Sequence, residues 1–133
     1  MNKILFLLLI LGLLFSASRL LAADFMEPAE AARRVAAGTA VLIDVREPVE
    51  WTQTGVAVPA HLLPLSDLRG ARTRWMTFLT ANQGKELIVY CRSGHRSGIA
   101  AGILTKEGWS VANAGAFKHW AAAGLPVRQV PAE

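Results

Sequence analysis

The chain has 133 residues, enough for one domain built on one hydrophobic core. Hydrophobic residues make up 53% of it, but much of that excess lies in the first 21 residues, and the remainder has the composition of an ordinary soluble globular protein. A formal net charge of +4 with no long basic block leaves no nucleic-acid footprint, and a single cysteine excludes an internal disulfide.

Residues 1–23 read as a secretory signal peptide. Lys3 supplies the positive start, residues 4–15 form an apolar run of 12, and Ser16, Ala17 and Ser18 lower the hydrophobicity before cleavage after Ala22 or Ala23. Twelve apolar residues fall short of the ~20 that span a bilayer. The alternative is an uncleaved membrane anchor reaching Leu21, with Arg19 at the interface. The expectation is an exported, periplasmic domain over residues 24–133 that meets a membrane only during export. Cleavage removes Lys3 and Arg19 and no acidic residue, so the net charge falls from +4 to +2. A lone thiol in an oxidising compartment is a liability unless it is buried or has a task, which draws attention to Cys91.

After the leader, Pro28 opens a predicted helix over 28–37, with Gly38 as its stop. Residues 39–44 are a short apolar run ending in Asp44, the pattern of a buried parallel strand. Residues 47–54 suggest a short helix from Pro48 to Gly55, and residues 61–64 a short strand. A helical spread of apolar residues (Leu68, Trp75, Met76, Leu79) predicts one helix over 66–82, with Ser66 as a candidate cap. Residues 86–90 are the clearest strand. A helix over 98–107, a strand over 109–112 and a helix over 117–123 complete an α/β domain with a largely parallel sheet.

Cys91 falls between the clearest strand and the following helix. Ligands of open parallel sheets bind beyond the carboxyl ends of the strands. There a helix N-terminus and successive backbone N–H groups favour an anion. Arg92 and Arg96 add positive charge, so all three effects favour thiolate over thiol. A thiolate in such a cradle can attack a sulfur donor, hold the transferred sulfur as a persulfide, and pass it to an acceptor without metal or organic cofactor. The arginines suit an anionic donor such as thiosulfate and the departing sulfite.

The segments Ile43-Asp-Val-Arg-Glu-Pro48, Trp51, Ile88-Val-Tyr-Cys-Arg-Ser-Gly-His-Arg-Ser97, Asn113-Ala-Gly115, Trp120 and Ala123-Gly-Leu-Pro-Val127 resemble the rhodanese family in that order. In detail the chain is similar to small exported bacterial rhodaneses. The resemblance implies a three-layer fold, a five-stranded parallel sheet flanked by helices. It also implies thiosulfate sulfurtransferase activity with a thiol or cyanide as acceptor, Cys91 as persulfide carrier, and residues 92–96 as the cradle. Four residues separate Cys91 from Arg96. Phosphatase-type loops, including one on this same fold, are one residue longer and admit phosphate or arsenate, so the shorter loop favours sulfur. A persulfide carrier with little turnover and a phosphatase-like or arsenate-reducing enzyme remain the alternatives. Two departures concern structure: Val56 stands where relatives often carry histidine, and Gly115-Ala116 where they carry paired glycines.

Around the cysteine, Gly94 suits a backbone conformation other residues resist. Ser93 and Ser97 can donate to sulfur or cap the helix, with capping the expected role of Ser97. His95 is expected to face outward, Arg96 to brace the loop and Arg92 to lie nearer solvent. Asp44 is read as support for an arginine or the loop. Arg46 and Glu50, four apart, are expected to pair. No metal site is expected, because no further ligands accompany Cys91 and His95.

Overall fold

The computed structural model describes residues 24–132. The expected signal peptide and its cleavage point lie outside the described residues. No helix among the described residues is long and apolar enough to cross a membrane.

In chain order the elements are β1 (Asp24–Phe25), α1 (Pro28–Ala36), β2 (Ala40–Asp44), α2 (Pro48–Thr54), β3 (Val56–Ala57), β4 (His61–Leu62), α3 (Leu65–Arg69), α4 (Thr73–Ala81), β5 (Glu86–Cys91), α5 (His95–Lys106), β6 (Val111–Ala116), α6 (Phe117–Ala122) and β7 (Val127–Arg128). Five strands pair in parallel in the order β1–β6–β5–β2–β4, the five-stranded parallel sheet that the resemblance implies. The central strands β2 and β5 are apolar without alternation because helices cover both faces.

Strand periodicity divides the core in two. Val41, Ile43, Val45, Leu87, Val89 and Cys91 pack toward Leu65 and Leu68 of α3, Trp75 of α4, and Ala100, Ala101 and Leu104 of α5. Ala40, Leu42, Ile88 and Tyr90 face the other way, toward Ala31 of α1 and Trp120 of α6. Each fully buried Leu, Ile or Val here contributes roughly 1.5–3 kcal/mol of transfer free energy. Cys91 therefore ends the central strand on the α5 side, and Tyr90, its neighbour, on the opposite side.

The structure departs from the sequence reading in several places. The expected helix over 66–82 is two helices, α3 and α4, separated at Gly70 to Arg72, where Arg72 adopts φ 59°. The Asp67 carboxylate accepts the N–H groups of Arg74 (3.0 Å) and Trp75 (3.3 Å), so it serves the start of α4. The bend buries Trp75, whose indole N–H donates to the Pro64 carbonyl at 2.9 Å. Ser66 is no cap, since its hydroxyl donates to the Glu47 carboxylate at 3.0 Å. The helix after Cys91 starts at His95, three residues before the expected start. The strand expected over 109–112 is Val111–Ala116: its small residues fit between β1 and β5 although they lack the apolar run that marks β2. Finally, β3 and β7 form an antiparallel pair too short to show in the sequence.

The register between β5 and β6 slips once. Val89 pairs with Asn113, but Tyr90 pairs with Gly115 and Cys91 with Ala116. The extra residue, Ala114, bends β6 beside the cysteine, as bulges do next to sites.

Candidate active site

Cys91 is fully buried at the carboxyl end of β5. The next three residues turn the chain into α5. Gly94 makes that turn with φ 94°, a left-handed value that side chains resist, and an added Cβ would lie 3.4 Å from the Gly115 Cα. In this conformation the Gly94 N–H donates to Cys91 Sγ at 3.0 Å. The twelve-residue helix α5 begins at the next residue, so its N-terminal end lies at the sulfur.

Two opposed effects act on the thiol. Burial pushes it up. Hydrogen bonds from the Ser97 hydroxyl and from the backbone N–H groups of Ser97, Ser93 and Gly94 outweigh burial and hold it below the usual thiol range. Hydrogen bonds, rather than the two arginines, lead the stabilisation. The charge of Arg96 is already matched: both of its terminal nitrogens donate to the Glu50 carboxylate at 2.7 Å.

Ser97 is not a helix cap. It lies inside α5, fully buried, with its hydroxyl 3.3 Å from Cys91 Sγ and 2.8 Å from Asn113 Oδ1. The capping position belongs to Gly94 because the helix starts early. Ser93 and Arg92 are exposed in the turn, and His95 is exposed at the first turn of α5. Arg96 ties the loop to α2 through Glu50.

Arg46 does not pair with Glu50. It precedes α2, so helical spacing does not govern its side chain, which folds back onto Asp44. Its Nε lies 3.1 Å from both Asp44 oxygens and its Nη2 2.8 Å from Oδ2. Other donors reach the Thr54 hydroxyl (2.8 Å) and the Gly55 carbonyl (2.9 Å). Both members of the pair are buried, and the guanidinium lies 4.6 Å from the Phe117 ring centroid. Tyr90 accepts the Ala57 N–H at 3.0 Å. Burial, with Asp44 beside it, pushes its phenol well above the ordinary range, so it stays protonated.

A cavity of about 670 Å³ opens over this end of the sheet. Arg92 and Ser93 line it from the loop, Glu50 from α2, and Phe117, Lys118 and His119 from α6. Cys91 does not line it. With Glu50 matched by Arg96, Arg92 and Lys118 leave the cavity positive, a setting for small anions.

Sequence reasoning missed two participants. Helical spacing points Glu50 at Arg46, whereas its partner is Arg96. Asn113 was noted only within a family motif, although a lone amide in a run of small residues before a glycine is a polar group that a buried strand must satisfy.

The rhodanese-like domain model matches residues 27–123. A sulfurtransferase of Allochromatium vinosum is 31% identical over 93 residues, covering 65% of this chain and 77% of that protein. An uncharacterised protein of Synechocystis sp. is 35% identical over 88 residues, covering 65% of this chain, and the aligned part spans 45% of that protein. Among solved structures, a rhodanese with anions from E. coli matches with TM-score 0.55 and 32% identity, over 68% of this chain and 99% of that one.

Proposed function

The chain belongs to the rhodanese-like domain family, and from that membership we propose that it moves sulfane sulfur from thiosulfate or a similar anionic donor to a thiol or cyanide through a persulfide on Cys91. The observation that carries the reading is the Gly94 N–H aimed at Cys91 Sγ at 3.0 Å, in a turn that also brings the Ser97 hydroxyl within 3.3 Å of the sulfur.

The Cys91 thiolate attacks the outer sulfur of thiosulfate. A Cys91–sulfur bond forms, the sulfur–sulfur bond of the donor breaks, and sulfite leaves with its electron pair. The anionic terminal sulfur inherits the stabilisation offered by the loop amides. Arg92 and Lys118 attract donor and sulfite at the mouth. The acceptor then attacks the terminal sulfur: cyanide leaves as thiocyanate, or a thiolate as a persulfide, and Cys91 is restored as thiolate. Asp44 and Arg46 support the end of β2, and Arg46 also lines the cavity. The reaction needs no metal and no organic cofactor. The leader of residues 1–23 supports an exported, periplasmic location for this chemistry, with membrane contact limited to export.

Incubating the protein with thiosulfate and cyanide tests the reading. Catalytic thiocyanate formation that disappears in Cys91→Ala supports it. Stoichiometric loading without turnover would assign a carrier role instead, and Cys91-dependent aryl phosphate hydrolysis or arsenate reduction would replace sulfur transfer altogether. Intact mass of the exported protein, before and after thiosulfate, reports leader removal and the gain of one sulfur together.

A further inference from the structure

We propose that Asn113 is a positioning residue for the sulfur cradle: its side-chain amide joins β6, the loop and α5, holding the Gly94 N–H on Cys91 and the Ser97 hydroxyl within reach of it.

Asn113 lies in β6, one residue before the bulge. Its Nδ2 donates to the Gly94 carbonyl at 3.1 Å. Its Oδ1 accepts the Gly115 N–H at 2.9 Å and the Ser97 hydroxyl at 2.8 Å. These partners fix which end of the amide is which, since a carbonyl needs the NH₂ and an N–H needs the oxygen. Gly94 is thereby held on both sides, its N–H on the sulfur and its carbonyl on Asn113 and on the Gly98 N–H at 3.0 Å. A glycine at φ 94° has little intrinsic reason to stay there, so its two peptide planes need outside partners.

The Ser97 hydroxyl has one proton and two acceptors in reach, Asn113 Oδ1 at 2.8 Å and Cys91 Sγ at 3.3 Å. While Cys91 is a thiol, its S–H can donate to Ser97 Oγ and Ser97 to Asn113. Once Cys91 is ionised, the hydroxyl can turn to the sulfur. Asn113 keeps the hydroxyl within one rotation of both partners.

The titratable and charged groups at this end of the sheet are Arg92 in the loop, His95 and Arg96 on α5, Glu50 on α2 paired to Arg96, the Asp44–Arg46 pair at the end of β2, and Lys118 and His119 on α6. Asn113 is uncharged, so truncating it alters hydrogen bonding and leaves this field in place.

The inference rests on the sulfurtransferase reading only for its effect on turnover, and its test does not need a sulfur donor. The rate of Cys91 alkylation by iodoacetamide, followed across pH, gives the midpoint of thiolate formation. Asn113→Ala should raise that midpoint by about one unit, which slows alkylation about tenfold at pH values well below both midpoints and not at all well above them. Asn113→Asp keeps the shape and the acceptor but loses the donor to Gly94 and adds a negative charge, so it should shift the midpoint at least as far. Ser97→Ala should shift the midpoint less in the Asn113→Ala background than in the wild type, because the two residues act as a unit. A midpoint unchanged in variants that retain native circular dichroism would overturn the proposal. So would a Ser97→Ala shift of equal size in both backgrounds. Should Asn113→Ala not fold, Asn113→Ser, which also leaves the charges in place, decides by the same midpoint. Shifted midpoints without thiocyanate formation by the wild type would sink the sulfur-transfer reading and leave the role of Asn113 standing.

Discussion

Glu50 holds both terminal nitrogens of Arg96 at 2.7 Å, so α2 grips the first turn of α5 through one fork-to-fork ion pair. The pair is partly shielded, and the Arg96 hydrogen bonds hold the Glu50 carboxyl below the usual carboxylate range. Glu50→Ala should cost about 1–2 kcal/mol, between exposed and buried pairs. Arg96→Lys keeps the charge but loses the fork, and should not recover the full stability. Urea denaturation of the variants measures both.

The lowered Cys91 thiol has a consequence for stability. A group held down in the native state contributes stability that is fully present above its unfolded value and is lost as pH falls through the native value. The stability of the wild type relative to Cys91→Ala should therefore rise as pH increases from the native Cys91 midpoint toward about 8.5, the ordinary thiol value, and level off above it. Urea midpoints of the two proteins across that window decide it, and a difference that falls with rising pH would contradict the direction of the shift.

Arg46 and Asp44 are a buried pair with almost every donor satisfied. Removing one partner strands a buried charge, so Arg46→Met or Asp44→Ala alone should lose about 3–5 kcal/mol. Replacing both with apolar residues should lose less than either single change. Thermal unfolding of the three variants gives the comparison. Should the double variant be as damaged as the singles combined, stranded charge is not the cause.

Gly94→Ala places a Cβ at a left-handed turn, at a cost of about 1–2 kcal/mol, and 3.4 Å from the Gly115 backbone. The turn should relax away from its present φ, drawing the N–H off the sulfur. Iodoacetamide alkylation at neutral pH should slow as the thiol rises. An alanine variant that alkylates at the wild-type rate would show that this N–H contributes nothing to the thiolate.

Much of the fold could be read from the chain because parallel strands buried on both faces are apolar without a break, as β2 and β5 are. The position of Cys91 followed from the same signal. What could not be read depended on distant partners. Glu50 and Arg46 are four apart, yet the first lies in a helix and the second precedes it, so tertiary neighbours chose the pairing. Ser97 looked like a cap because α5 was expected to begin at Gly98. The left-handed turn at Gly94 moves that start forward and turns the hydroxyl inward. Asn113 is legible as a partner of the loop only once the β5–β6 register is known.

The change of side between Tyr90 and Cys91 limits how this strand can vary in length. Removing or adding one residue within Glu86–Cys91 would carry the sulfur into the layer under α1 and α6, away from the amides that receive it, and would put the phenol in its place. The turn before β5, at residues 82–85, is largely exposed and has no such parity to keep. Insertions should therefore be tolerated ahead of the strand and abolish the site within it.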